Sequence, residues 1–134
     1  MKPSQPVAKR GDRVVGVDTH VVLVPGPAGP TPTPTPHSFE GRIDERSDAT
    51  VFVDDASVAL QGASAEAACP HVPIGGAFAR APSNRATLTG GSGRVFAEDR
   101  AIARGIDAAT SCDDFGAEDN ANVVVDATAS VFAG

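Results

Sequence analysis

Residues 18–37 read DTHVVLVPGPAGPTPTPTPH: branched apolar residues, then a run with proline at alternate positions, with His20 near one end and His37 at the other. Alternate prolines remove every second backbone donor, so neither a helix nor an inner strand is expected over 25–37. A stiff, extended loop packed on the surface is expected instead. Upstream, PVAKRGDRVVGVDTHVVLV (6–24) is rich in Val but has no helical period. Val14-Val15 and Val21 to Val24 read as short strands.

Outward from this stretch the chain repeats. TVFVDDASVALQG (50–62), GRVFAEDRAIARG (93–105) and NVVVDATASVFAG (122–134) each hold an apolar run, a polar break, a second apolar run and a terminal Gly. That is the pattern of a β-hairpin, and its recurrence predicts one supersecondary unit used three times. Ser64 to Ala68 (SAEAA) is the most helix-like stretch, ended by Pro70. Asp99 to Ile106 has some helical propensity, but the repeat argues for strand there. Gly90 to Gly93 (GGSG) reads as a turn between strands. The expectation is an all-β chain forming a single domain over 1–134.

Composition limits what such a domain can do. Of 134 residues, 41% are hydrophobic and 21% charged, which is globular rather than disordered. The net charge of −6 and the lack of a basic stripe argue against a nucleic-acid partner. No apolar run is long enough to span a bilayer, and the N-terminal segment lacks the apolar core of a secretory signal. With no Trp, no Tyr, 14 Gly and 11 Pro, the core must be thin. A thin core in a small chain calls for a staple. Only Cys69 and Cys112 are available for a disulfide, so a metal is the better expectation.

His20, His37 and His71, joined by Cys112, would make a closed tetrahedral site of three imidazoles and one thiolate, a donor set that suits Zn2+. Cys69, two residues from His71, is the alternative sulfur ligand. Four protein ligands leave no open position, so such a metal would be structural. No catalytic constellation accompanies it. Asp54-Asp55, Asp113-Asp114 and Glu118-Asp119 read as solvated turn residues.

Four segments resemble the PAAR-domain proteins. They are the run from Asp18 to Gly41 and the stretch from Pro70-His71-Val72-Pro73 to Pro82-Ser83-Asn84-Arg85. The other two are Ala101 to Cys112 and Pro6-Val7-Ala8-Lys9-Arg10-Gly11-Asp12, similar to the family's Pro-Ala-Ala-Arg element. The resemblance covers nearly the whole chain. Ser57 to Leu60 and Ala129 to Phe132 depart from it, lacking both Pro and Arg. It implies a small cone of short β-hairpins with pseudo-three-fold repeats and a zinc-stapled apex, with His20, His37, His71 and Cys112 as ligands and Cys69 outside the set. It further implies a non-enzymatic spike-tip protein of type VI secretion or related phage-tail-like contractile injection systems. One copy would cap a trimeric VgrG-like spike, touch the target membrane transiently and carry effector cargo. It would assemble in the bacterial cytoplasm and leave the cell with the spike. Alternatives are an effector-recruiting adaptor and a zinc-dependent hydrolase.

Overall fold

The computed structural model describes residues 4–44, 50–114 and 122–134, and Glu118-Asp119 lie outside them. Among the described residues there are strands and no helix. In chain order the strands are β1 (Gln5–Pro6), β2 (Arg13–Val24), β3 (Thr31–Ile43), β4 (Phe52–Val53), β5 (Ala56–Ser57), β6 (Ser64–Ala67) and β7 (Ala77–Phe78). They continue with β8 (Arg85–Leu88), β9 (Phe96–Ala97), β10 (Arg100–Ala101), β11 (Ala108–Thr110), β12 (Val123–Asp126) and β13 (Phe132–Ala133).

Six of these close into an antiparallel barrel in the order β2-β3-β6-β8-β11-β12, with β12 pairing back onto β2. Closure removes sheet edges and gives a chain of small residues an enclosed core. Val14, Phe39, Ile43, Ala65, Ala86, Leu88, Ala109, Val123 and Val125 fill it, all at most 2% exposed. Alternation along each strand dictates who points inward.

Two local expectations are overturned. SAEA is strand β6, paired to β3 and β8, because barrel ladders on both sides outweigh its helical propensity. The proline run is not a loop: Thr31 to Pro36 pair residue for residue with Val24 to Thr19 in a hairpin whose second strand is β3. Partner polarity explains this. Pro36 and Pro34 face Thr19 and Val21, whose amides turn away from β3 to the carboxylates of Asp113 and Asp114. Prolines spaced by two therefore all occupy positions where the ladder asks for no donor. They also leave the outer edge of β3 short of donors, which discourages further strand pairing.

Below the barrel, three small corners repeat. In each, an apolar pair leads into a two-stranded ladder, its Phe being the first paired residue: Val51-Phe52 into β4–β5, Val95-Phe96 into β9–β10, and Val131-Phe132 into the pairing of β13 with β1. The amide of Ala8 donates to the Ala103 carbonyl (2.8 Å), that of Ala103 to Ala59 (2.9 Å), and that of Ala59 to Ala8 (2.9 Å), closing a ring of three fully buried alanines. Arg10 to Ser57, Gln61 to Ala101 and Gly105 to Pro6 make a second such set, each 2.8 Å.

These sets correct the repeat register. Phe52 corresponds to Phe96 and Gly62 to Ile106, one residue off an alignment on the terminal glycines. The stretch 122–134 does not fold back on itself. Its first half is barrel strand β12, and its last residues pair with Gln5–Pro6, so the third corner is built from opposite ends of the sequence.

Candidate metal centre

β2 begins at Arg13 and runs past the barrel, carrying His20 about 23 Å up the strand at 3.3 Å per residue. Alternation puts Asp18 and His20 on its inward face, and register sets His37 of β3 directly opposite Asp18. His71 comes from the segment after β6, and Cys112 follows β11. The three imidazoles thus converge: ring centroids are 4.9 Å apart for His20 and His71, 5.4 Å for His37 and His71, and 5.5 Å for His20 and His37. Cys112 Sγ lies 3.7 Å from His20 Nε2. Cys69 is exposed and outside the group.

Asp18 joins them, a residue the sequence reading leaves out. It is completely buried. Its Oδ2 lies 2.7 Å from His71 Nε2, 3.3 Å from Cys112 Sγ and 3.8 Å from His20 Nε2. One donor atom each from Asp18, His20, His71 and Cys112 fall within 4.8 Å of one another, and this group could hold a metal ion. The available signal was the Asp-x-His spacing in a β-strand, which puts both side chains on one face.

The surroundings fix how the rings point. His20 Nδ1 faces Asp114 Oδ1 at 3.3 Å, and His37 Nδ1 faces the Thr35 carbonyl at 3.0 Å. Each leaves Nε2 for the interior, the arrangement that outer partners impose on ligating histidines. His37 Nε2 is buried and has no hydrogen-bond partner. A buried lone pair without a donor is costly unless a cation takes it. The group that could hold a metal ion is thus Asp18, His20, His71 and Cys112; His37 stands beside it and outside that 4.8 Å set, so the donors brought together differ from the three-histidine, one-cysteine set the resemblance implies.

Asp113 and Asp114 are not solvated turn residues. Burial works to raise the Asp114 carboxyl, but the Val21 amide (2.9 Å), His20 Nδ1 (3.3 Å) and Arg80 Nη2 (3.0 Å) together hold it below the usual range. Asp113 accepts the Thr19 amide at 2.7 Å. Asn84 sits in the left-handed region (φ 59°), accepts the His71 amide at 2.9 Å, and gives its own amide to Cys112. Burial, then the charge of Asp18, pushes the Cys112 thiol up to about 11. A cation binding the thiolate must therefore displace a proton. Phe78, carried by β7, packs on His20 and His37 at 5.6 and 5.5 Å.

No family model, curated protein or solved structure matches this chain.

Proposed function

We propose that this chain is a non-enzymatic spike-tip protein of the PAAR kind, stapled near its tip by Zn2+ held by His20, His37, His71 and Cys112, and seated by its other end on a trimeric VgrG-like spike. The observation that carries this reading is the triple corner. One chain repeats the same backbone contacts three times and exposes Phe52 (65%), Phe96 (58%) and Phe132 (58%) at equivalent positions. Val51, Val95 and Val131 lie beside them, also exposed. A monomer with three like apolar corners suits a three-fold partner, each corner meeting one subunit. In this reading one copy serves each trimer, and the metal cross-link holds the far end together under load. Assembly in the bacterial cytoplasm, export with the spike, transient contact with a target membrane and effector carriage follow from that role.

The test is stoichiometry. Mixed with a trimeric VgrG-like spike, the chain should form a complex of one copy per trimer by native mass spectrometry. Replacing Phe52, Phe96 and Phe132 by Asp should abolish it while leaving the melting temperature nearly unchanged. Binding of three copies, or binding untouched by the triple variant, would overturn the reading.

A further inference from the structure

We propose that Asp18 is itself a ligand of the metal, an inference that rests on the metal-centre reading above. The two carboxylate oxygens have separate tasks. Oδ1 accepts the Ser111 hydroxyl and Asn122 Nδ2 (2.7 Å), which lock the side chain in place. Asn122 is in turn anchored by donating to the Val17 carbonyl (3.1 Å) and accepting the Ser111 amide (3.1 Å). Oδ2 is turned to His71 Nε2, Cys112 Sγ and His20 Nε2, at 2.7, 3.3 and 3.8 Å. Neighbouring ligands of one Zn2+ with bonds of about 2.0–2.3 Å stand roughly 3–4 Å apart. Oδ2 stands at that separation from Cys112 Sγ and His20 Nε2, and its shorter contact with His71 Nε2 is a hydrogen bond that a shared cation would replace.

Charge points the same way. Asp18 is 0% exposed, and burying a carboxylate without a compensating cation is expensive. A divalent cation bound by neutral imidazoles and the Cys112 thiolate alone would keep one uncompensated positive charge in a dry site. The Asp18 carboxylate brings that total to zero. A bound cation would replace the thiol proton of Cys112, which leaves to solvent, and the proton that His71 Nε2 donates to Oδ2, which passes by way of solvent to Nδ1, so that both atoms present lone pairs. His37 Nε2, unpartnered and buried, contributes the remaining nitrogen.

Two measurements test this. Co2+ replaces Zn2+ as a spectroscopic probe in the wild-type chain and in Asp18→Asn, whose side chain keeps the size and loses the charge. Zn2+ affinity is measured in parallel by competition with a chelating dye. Loss of an outer partner weakens metal binding by about 10–100-fold. Loss of an anionic ligand should exceed that, and the visible bands of bound Co2+ should change position and intensity. An unchanged Co2+ spectrum in Asp18→Asn overturns direct ligation, however far the affinity falls. X-ray absorption of the Zn2+-loaded wild-type chain needs no variant. Outer-shell scattering counts the imidazoles: a shell of one sulfur with one more nitrogen or oxygen neighbour than there are imidazoles supports Asp18 as ligand, and one of sulfur and three imidazoles alone overturns it. A wild-type chain that takes up neither metal overturns the metal centre itself.

Discussion

His37 Nδ1 lies 3.0 Å from the carbonyl oxygen of Thr35, two residues back on the same strand. The carbonyl can only accept, so Nδ1 carries the proton and Nε2 carries the lone pair. That lone pair is buried without a partner. Replacing the ring by an apolar side chain should therefore have opposite effects in the two metal states. In chelator, His37→Leu should melt no lower than wild type, because an orphaned buried nitrogen costs about 1–3 kcal/mol. With Zn2+ at a thousandfold excess over its Kd, the wild-type chain gains about 4 kcal/mol, near 15 °C for a chain of this size, and the variant should gain far less. Paired melting curves with and without chelator check both. Equal gains would remove His37 from the ligand set.

Gly11, Gly62 and Ile106 occupy the same turn in the three repeats, donating to the carbonyls of Ile43, Leu88 and Val125. Their φ angles are 90°, 95° and 61°. A β-branched residue in this region is strained by about 1–2 kcal/mol. Ile106 is 69% exposed, so little packing offsets the strain. Ile106→Gly should stabilise the fold by about 0.5–1 kcal/mol after the added chain entropy, and Gly62→Ile should destabilise it by about 1–2 kcal/mol. Urea midpoints decide. A destabilised Ile106→Gly would show that the side chain is held by contacts.

Gly76 precedes β7, where an added Cβ would sit 2.8 Å from the Leu23 carbonyl carbon and 3.2 Å from Val22 Cγ1. Both belong to the strand that β7 pairs with. Gly76→Ala should push β7 off β2 and lift Phe78 from the two histidine rings it covers. Zn2+ should then exchange about tenfold faster, as seen in transfer to a chelator. An unchanged rate would mean that Phe78 does not shield the site.

Asp54 and Glu98 take equivalent places in two corners and bind the strand entering the next. Asp54 accepts the Ser130 amide (2.9 Å) and hydroxyl (2.7 Å), and Glu98 accepts the Thr50 amide and hydroxyl, both at 2.6 Å. These bonds hold both carboxyls below their ordinary values of 3.8 and 4.5. A depressed folded value means that the stabilisation is complete above the unfolded value and disappears as pH falls through the folded one. Neutral pH should leave the corners intact, and they should loosen only below about pH 4. Carboxyl NMR titration should place both midpoints low, and Ser130→Ala should move that of Asp54 upward. Midpoints at the ordinary values would contradict this.

Much of this was legible in the sequence. Alternating Val predicts strands, the recurring apolar run, polar break and second apolar run marks the corners, and few residue types other than His and Cys suit a buried soft-donor cluster. What was hidden depends on partners far away in the chain. Whether Pro34 can enter a strand depends on which edge Val21 offers, and that is decided by Asp114. SAEA becomes strand only because β3 and β8 flank it. Asp18 goes unremarked and Asp114 reads as a solvated turn residue until the fold buries the first and turns the second toward His20. The third corner escaped because Phe132 finds Pro6, not a neighbour in sequence.

That seam has a topological consequence. In two corners the paired strands are joined by the Asp54-Asp55 and Glu98-Asp99 turns, whose residues all have positive φ, whereas in the third Phe132–Ala133 and Gln5–Pro6 pair with a cut between them in this sequence. A short linker across the cut, with new termini opened at either turn, would give circular permutants that keep every ladder of the native chain. Such permutants would let a passenger sequence be attached at any of the three vertices in turn.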